Sequence, residues 1–321
     1  MKSLTPILVI FIFTLSGHSQ VINLEGQWKF HIDDKSFWAL PDFDDSKWGD
    51  IHAPSAWEEE GFNNYDGFAW YRKKFDGRKL DKNEVYYLGL GFIDDSDEVY
   101  VNGKLIGFSG KMPPKFKTSY NTERKYALPP EVINYNGDNL IAIRVFDVVH
   151  GGGIIEGDLG IFVGDQTNHL LVDLQGIWSF TTTRSSEVIP KDATWENLMV
   201  PGGWDRQGYG RYDGYAWYKK TFSVSSVINP NEPLMVLVGK IDDFDKVYLN
   251  GKLIGSTNDH RQLGLSHSYT KPRAYEIQAD QLKKTGNVIE VLVLDIGDYG
   301  GIYEGTVGIA TRKNYDRYFR D

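Results

Sequence analysis

Not one cysteine occurs among the 321 residues, so no disulfide can brace the fold and each domain must bury a core large enough to hold itself together. Positive charge is in deficit: Lys and Arg number 35 against 44 Asp and Glu, a formal net charge of −9. That balance excludes a polyanion such as nucleic acid bound by bulk electrostatics, while leaving local basic clusters free to meet an acidic sugar. Beyond the N-terminus there is no long apolar run, which excludes a membrane-spanning helix from the mature chain. A Walker loop, a dinucleotide fingerprint, a zinc-type His pair and a low-complexity linker are also missing, and neither a metal nor an organic cofactor is expected. Helical periodicity is scarce, and the oligomeric state stays open.

What is present starts with an export signal. Lys2 precedes an apolar run from Ile7 to Leu15, and Gly17 and Ser19 supply small side chains before Gln20. The run is too short to span a bilayer and reads as a secretory signal peptide over 1–19, so the mature protein is expected in the periplasm or outside the cell. Aromatic residues make up 14% of the chain, with nine Trp and nineteen Tyr. Sugar stacking and aromatic β-sandwich cores both use such an excess.

The remainder repeats itself. Leu24, Gly26, Trp28 and Phe30 recur as Leu174, Gly176, Trp178 and Phe180, and Pro54 and Trp57 recur as Pro201 and Trp204. The run Tyr65 to Tyr71 recurs as Tyr212 to Tyr218, with Asp213 and Gly214 matching Asp66 and Gly67. Ile93-Asp94-Asp95 with Asp97 and Asn102-Gly103 recurs as Ile241-Asp242-Asp243 with Asp245 and Asn250-Gly251, and Gly152-Gly153-Ile154 recurs as Gly300-Gly301-Ile302. A period near 150 residues suits a whole duplicated domain, which sets the expected units at 20–168 and 169–321. Within each, Asn-Gly turns flanked by Val99-Tyr100-Val101 and Leu105-Ile106, and branched runs such as Leu140–Phe146 and Val288–Leu294, read as strands. The expected fold is all-β: two tandem jelly-roll sandwiches.

The ordered set Leu-x-Gly-x-Trp-x-Phe, Pro-x-x-Trp, Ala-Trp-Tyr-x-Lys, Val-Tyr-x-Asn-Gly-Lys-Leu-Ile-Gly and Gly-Gly-Ile closely resembles the N-terminal sugar-binding domain of family 2 glycoside hydrolases, a galactose-binding-like jelly roll. The resemblance covers nearly all of the mature chain, twice. In those glycosidases an immunoglobulin-like domain and a catalytic barrel follow, whereas this chain stops at Asp321, so the glycosidase reaction is not carried over. Tandem copies of this kind are similar to an oligosaccharide dehydratase type from ulvan breakdown. That resemblance implies a carbon–oxygen lyase (EC 4.2.1 type) removing water from a terminal uronic acid of an acidic oligosaccharide. A non-catalytic secreted carbohydrate-binding protein is the alternative, and a structural module with purely core aromatics a third.

Eliminating water from a uronate needs a base for the C5 proton, donors for the carboxylate and an acid for the departing 4-hydroxyl. Ahead of the shared Tyr-Asp-Gly, copy one carries Glu58, Glu59, Glu60 and then Asn64 where copy two carries Asp205, Arg206, Gln207 and then Arg211, which makes copy two the expected anion binder. Arg206 and Arg211 then pair with carboxylate or sulfate, or are merely solvated loop charges. His267 and His260 are the preferred catalytic candidates, with His150 a rival base and Tyr299 a possible proton donor. Arg261, Arg273, Tyr212, Asp213 and Tyr303 complete the candidate substrate contacts, and the glycine turn without any chemistry is the plain alternative. Trp70 and Trp217, in strand-like segments, read as core, whereas Trp57 and Trp204, after Pro, read as stacking platforms at the rim. The Asp-Asp-x-Asp triplets read as turn or rim hydrogen-bonders rather than calcium ligands.

Overall fold

The computed structural model describes residues 19–149, 151–164, 167–184, 187–224, 228–258 and 267–320. The fold is all-β, in two sandwich-like units with the same strand plan. In the first, a four-stranded sheet runs in the order Gln20–Asn23, Gly153–Val163, Tyr86–Asp94, Glu123–Leu128. It faces a six-stranded sheet ordered Gly49–Ala53, Gly26–Ile32, Gly67–Asp76, Asp138–Asp147, Ser96–Val101, Lys104–Ser109. The second unit repeats both sheets: Val172–Asp173, Gly301–Thr311, Leu234–Asp242, Pro272–Ile277 in one. The other is Glu196–Val200, Gly176–Arg184, Gly214–Phe222, Asn287–Asp295, Phe244–Leu249, Lys252–Thr257.

Every strand pairing among the described residues is antiparallel, which alternation of buried and exposed side chains along a strand favours when one face meets the core. The Asn-Gly turns take the conformation their residues allow: φ is +50° and +79° at Asn102-Gly103 and +51° and +80° at Asn250-Gly251. A type I′ turn needs positive φ at both central positions. Each unit has its own core, around Trp28, Trp57, Leu88 and Val145 in the first and Trp178, Trp204, Val236 and Val293 in the second.

Trp57 and Trp204 are both fully buried, 0% exposed, so neither is a stacking platform. The cause is the repeated Gly-Gly-Ile turn, which lies over the indole. A Cβ on Gly152 would fall 2.3 Å from the Trp57 ring, and one on Gly300 would fall 2.0 Å from that of Trp204. Pro-x-x-Trp and Gly-Gly-Ile are thus two halves of one packing contact, made by segments distant in sequence. Trp70 is buried as expected, in a smaller cluster with Trp38 and Trp48, while Trp217 is only half-buried.

Candidate functional site

The strand ending at Asp94 leaves one sheet and the strand starting at Ser96 enters the other, so Asp95 marks the corner where the chain changes layers at the end of the sandwich. Strand Asp138–Asp147 finishes beside that corner: Asp95 N–H donates to Phe146 O at 3.3 Å and Val148 N–H donates to Asp95 Oδ2 at 3.2 Å. The second unit repeats it, with Asp243 N–H donating to Leu294 O at 3.2 Å and Ile296 N–H to Asp243 Oδ2 at 3.1 Å. Carboxylate oxygens of Asp94, Asp95 and Asp147 therefore lie within 4.8 Å of one another, as do those of Asp242, Asp243 and Asp295. In both sets the first Asp is half-buried and the other two are buried.

The last Asp of each Asp-Asp-x-Asp sequence does different work. Asp97 accepts from Arg124 Nε at 2.7 Å and from Tyr126 OH at 2.5 Å, and Arg124 Nη2 also donates to Asp95 O at 3.0 Å. In the second unit Asp245 accepts from Arg273 Nε at 2.7 Å and Tyr275 OH at 2.5 Å, while Arg273 Nη2 donates to Asp243 O at 2.7 Å. Arg273, expected to contact substrate, is 3% exposed and spent on this clamp. A guanidinium already bonded in the core has no fork left for a sugar carboxylate.

Crowded, buried carboxylates resist ionisation. Burial, then the charges of Asp94, Asp95 and Asp66, push Asp147 up to about 7. Burial chiefly, with Asp213, Asp243 and Asp205 nearby, pushes Asp295 up to about 7. Asp242 is likewise raised, by burial and by Asp243.

Around the second triplet the structure gathers several of the expected site residues. Tyr303, half-buried, donates its OH to Tyr269 O at 2.8 Å. Tyr299 is 61% exposed, on the turn whose Gly300 N–H donates to Asp205 Oδ2 at 2.8 Å. Asp213 is exposed, and Tyr212 packs its ring edge-on against Trp204 at 5.6 Å and donates its OH to Tyr215 O. His267 is exposed beside Tyr269, with ring centroids 6.4 Å apart. Arg206 and Arg211 are exposed on the preceding loop, without an ion pair among the described residues. His260, Arg261 and His150 lie outside the described residues. Among the described residues the centre of this rim is carboxylate and tyrosine, with Arg206 and Arg211 on the adjoining loop. The carboxylates Asp242, Asp243 and Asp295 were missed as a group; the available signal was an Asp closing the same branched strand in both copies, at 147 and 295.

Copy one's lysines serve the junction. Glu196 takes Lys111 Nζ at 2.7 Å and Lys115 Nζ at 2.9 Å, and Lys117 Nζ donates to Asp205 O. A cleft of about 300 Å3 between the units, lined by Tyr86, Tyr87, Lys125, Gln175 and Met199, offers no free ring: Tyr87 is stacked on Phe162 at 5.2 Å and covered by Lys125 Nζ at 3.9 Å.

Residues 32–150 match the family described as the beta-galactosidase second all-beta domain. The matched segment falls within the first sandwich unit. The beta-galactosidase BoGH2A of Bacteroides ovatus is 26% identical over 135 residues, 38% of this chain and 15% of that enzyme. The beta-galactosidase of Priestia megaterium is 24% identical over 157 residues, 39% of this chain and 14% of the enzyme. Among solved structures, a Bacteroides uniformis beta-glucuronidase aligns at TM-score 0.40 and 17% identity, covering 85% of this chain and 28% of that one. The matches to this chain therefore span about one seventh of the curated relatives.

These relatives correct the expected chemistry. They carry the names of hydrolases, beta-galactosidases in all three curated cases, and a carbon–oxygen lyase finds no support among them. No helix among the described residues is long and apolar enough to cross a membrane.

Proposed function

We propose that this chain is a carbohydrate-recognition module of the glycoside hydrolase family 2 type, built from units 20–168 and 169–321, and that it serves a glycosidase system as an accessory rather than as the catalyst. The observation that carries this reading is the composition of the second rim. The half-buried carboxylate of Asp242 and the exposed Asp213 stand with Tyr269, Tyr299 and Tyr303 around one sandwich end, above the buried Asp243 and Asp295. Carboxylates accept from sugar hydroxyls, and tyrosine rings cover the apolar C–H faces of a pyranose. An acceptor-rich rim favours a neutral, hydroxyl-rich saccharide such as a galactoside over a uronate, which it would repel.

A uronate-bearing oligosaccharide is the second reading, favoured by Arg211. This residue holds φ at +66° where copy one has Asn64 at +57°. Asn tolerates the left-handed region, whereas Arg adopts it at a cost, and such costs concentrate at ligand-facing positions. The apolar run Ile7 to Leu15 behind Lys2 supports export, so the proposed place of work is the periplasm or the cell exterior.

Calorimetric titration of the full chain with neutral galactosides and with uronate-terminated oligosaccharides tests both readings. Binding of the neutral set without bond cleavage is the expected result. Binding confined to uronates and lost in Arg206→Ala or Arg211→Ala would replace it with the second reading, and no binding to either would sink both.

A further inference from the structure

We infer that each sandwich carries a divalent-cation site, one formed by Asp94, Asp95 and Asp147 and the other by Asp242, Asp243 and Asp295. The inference goes beyond the saccharide reading and does not depend on it.

Three carboxylates with oxygens inside 4.8 Å of each other are a common enough surface feature. What sets these apart is the condition of the innermost member. Asp147 is 0% exposed, and neither of its carboxylate oxygens has a hydrogen-bond partner among the described residues. Asp295 is 1% exposed, its Oδ1 accepting from Gly297 N–H and its Oδ2 having no hydrogen-bond partner among the described residues. Buried polar atoms in folded proteins nearly always find a partner, so each exception calls for one. The neighbouring buried carboxylates obey the rule: Asp97 and Asp245 are each held by an arginine and a tyrosine.

The donor set specifies the ligand. All the groups are carboxylate oxygens, with no imidazole or thiolate, which selects a hard cation. Asp95 Oδ1 and Oδ2 are already engaged by Thr118 Oγ1 and Val148 N–H, so the geometry is irregular and one side is formed by the half-buried Asp94 or Asp242. Calcium accepts six to eight oxygens in flexible geometry and completes its shell with water or hydroxyls, whereas magnesium demands a regular octahedron. Calcium is the assigned ion. The same construction in both copies, whose rim loops differ in charge, places the feature in the duplicated framework.

The full chain, stripped with chelator and dialysed, is titrated with calcium chloride by calorimetry and thermal melting. Two ions per chain are expected, with a Tm gain of roughly several degrees. Asp147→Asn and Asp295→Asn should each bind one ion, and the double variant none; circular dichroism checks that all remain folded. Should either buried variant fail to fold, the half-buried Asp94→Asn and Asp242→Asn replace them, each expected to weaken its own site at least roughly tenfold. No heat and no Tm change up to about 10 mM calcium, or two ions retained in the double variant, overturns the assignment. A single ion sensitive to one variant alone overturns the duplicated form of it.

Discussion

Arg273 donates its Nε–H to Asp245 Oδ1 at 2.7 Å inside the second sandwich, with the side chains 2% and 0% exposed. The contact turns an expected ligand-binding arginine into the clamp that holds the corner bearing Asp242 and Asp243. Removing one partner of a buried pair leaves the other charge uncompensated, at about 3–5 kcal/mol. Arg273→Ala is therefore expected to lower unfolding free energy by that amount in urea titrations, and Arg124→Ala to match it in the first sandwich. A loss under about 0.5 kcal/mol, the usual size for an exposed loop charge, would return Arg273 to the rim.

Tyr299 offers the most exposed ring of the second rim. Its replacement by Ala should weaken saccharide binding about two- to tenfold, from an aromatic contribution of about 0.5–1.5 kcal/mol. Stability should move by no more than about 0.5 kcal/mol. Trp204→Ala should do the reverse: it opens a core cavity costing about 3–5 kcal/mol, so any loss of binding should follow unfolding in a parallel melt.

The Asp147 carboxyl, ordinarily near 3.8, is held up to about 7 in the fold. The folded state thus keeps its proton more tightly than the unfolded chain. Its contribution to stability is fully present below about 3.8 and is lost as pH rises through about 7. In chelated buffer, Asp147→Asn should melt above the wild type at pH 8, by about 2–4 °C for each kcal/mol recovered, with the gap closing towards pH 4. Asp295→Asn should follow the same profile, since Asp295 is also raised to about 7.

Glu196 behaves oppositely. Hydrogen bonds from Lys111 and then Lys115 hold it down at about 2, so its contribution is present above the ordinary glutamate range and is lost as pH falls through about 2. Lys115 is 73% exposed, and solvent screening limits the pair to about 1 kcal/mol. Glu196→Gln should cost no more than that at pH 7 and nothing near pH 2, read by chemical denaturation. A cost unchanged across that range would mean the loss is one of packing.

Much of the architecture follows from residues acting on near neighbours. Asn102-Gly103 and Asn250-Gly251 make their turns because both residues tolerate positive φ, and Leu140–Phe146 and Val288–Leu294 extend because branched side chains suit a half-buried sheet. The order of motifs, written twice, carried the duplication and with it the two sandwiches. What only the tertiary structure decided depends on contacts between segments far apart in the chain. Pro-x-x-Trp marked a rim position until the Gly300 turn, 96 positions from Trp204, closed over the indole. Arg273 reads as a free cation unless Asp245 is known to lie beneath it. Asp94 and Asp95 read as turn residues until strand Asp138–Asp147 brings Asp147 to them with no hydrogen-bond partner among the described residues. Periodicity reports which face of a strand is buried, but not which other strand end shares its corner, and a site of like charges exists only where that sharing happens.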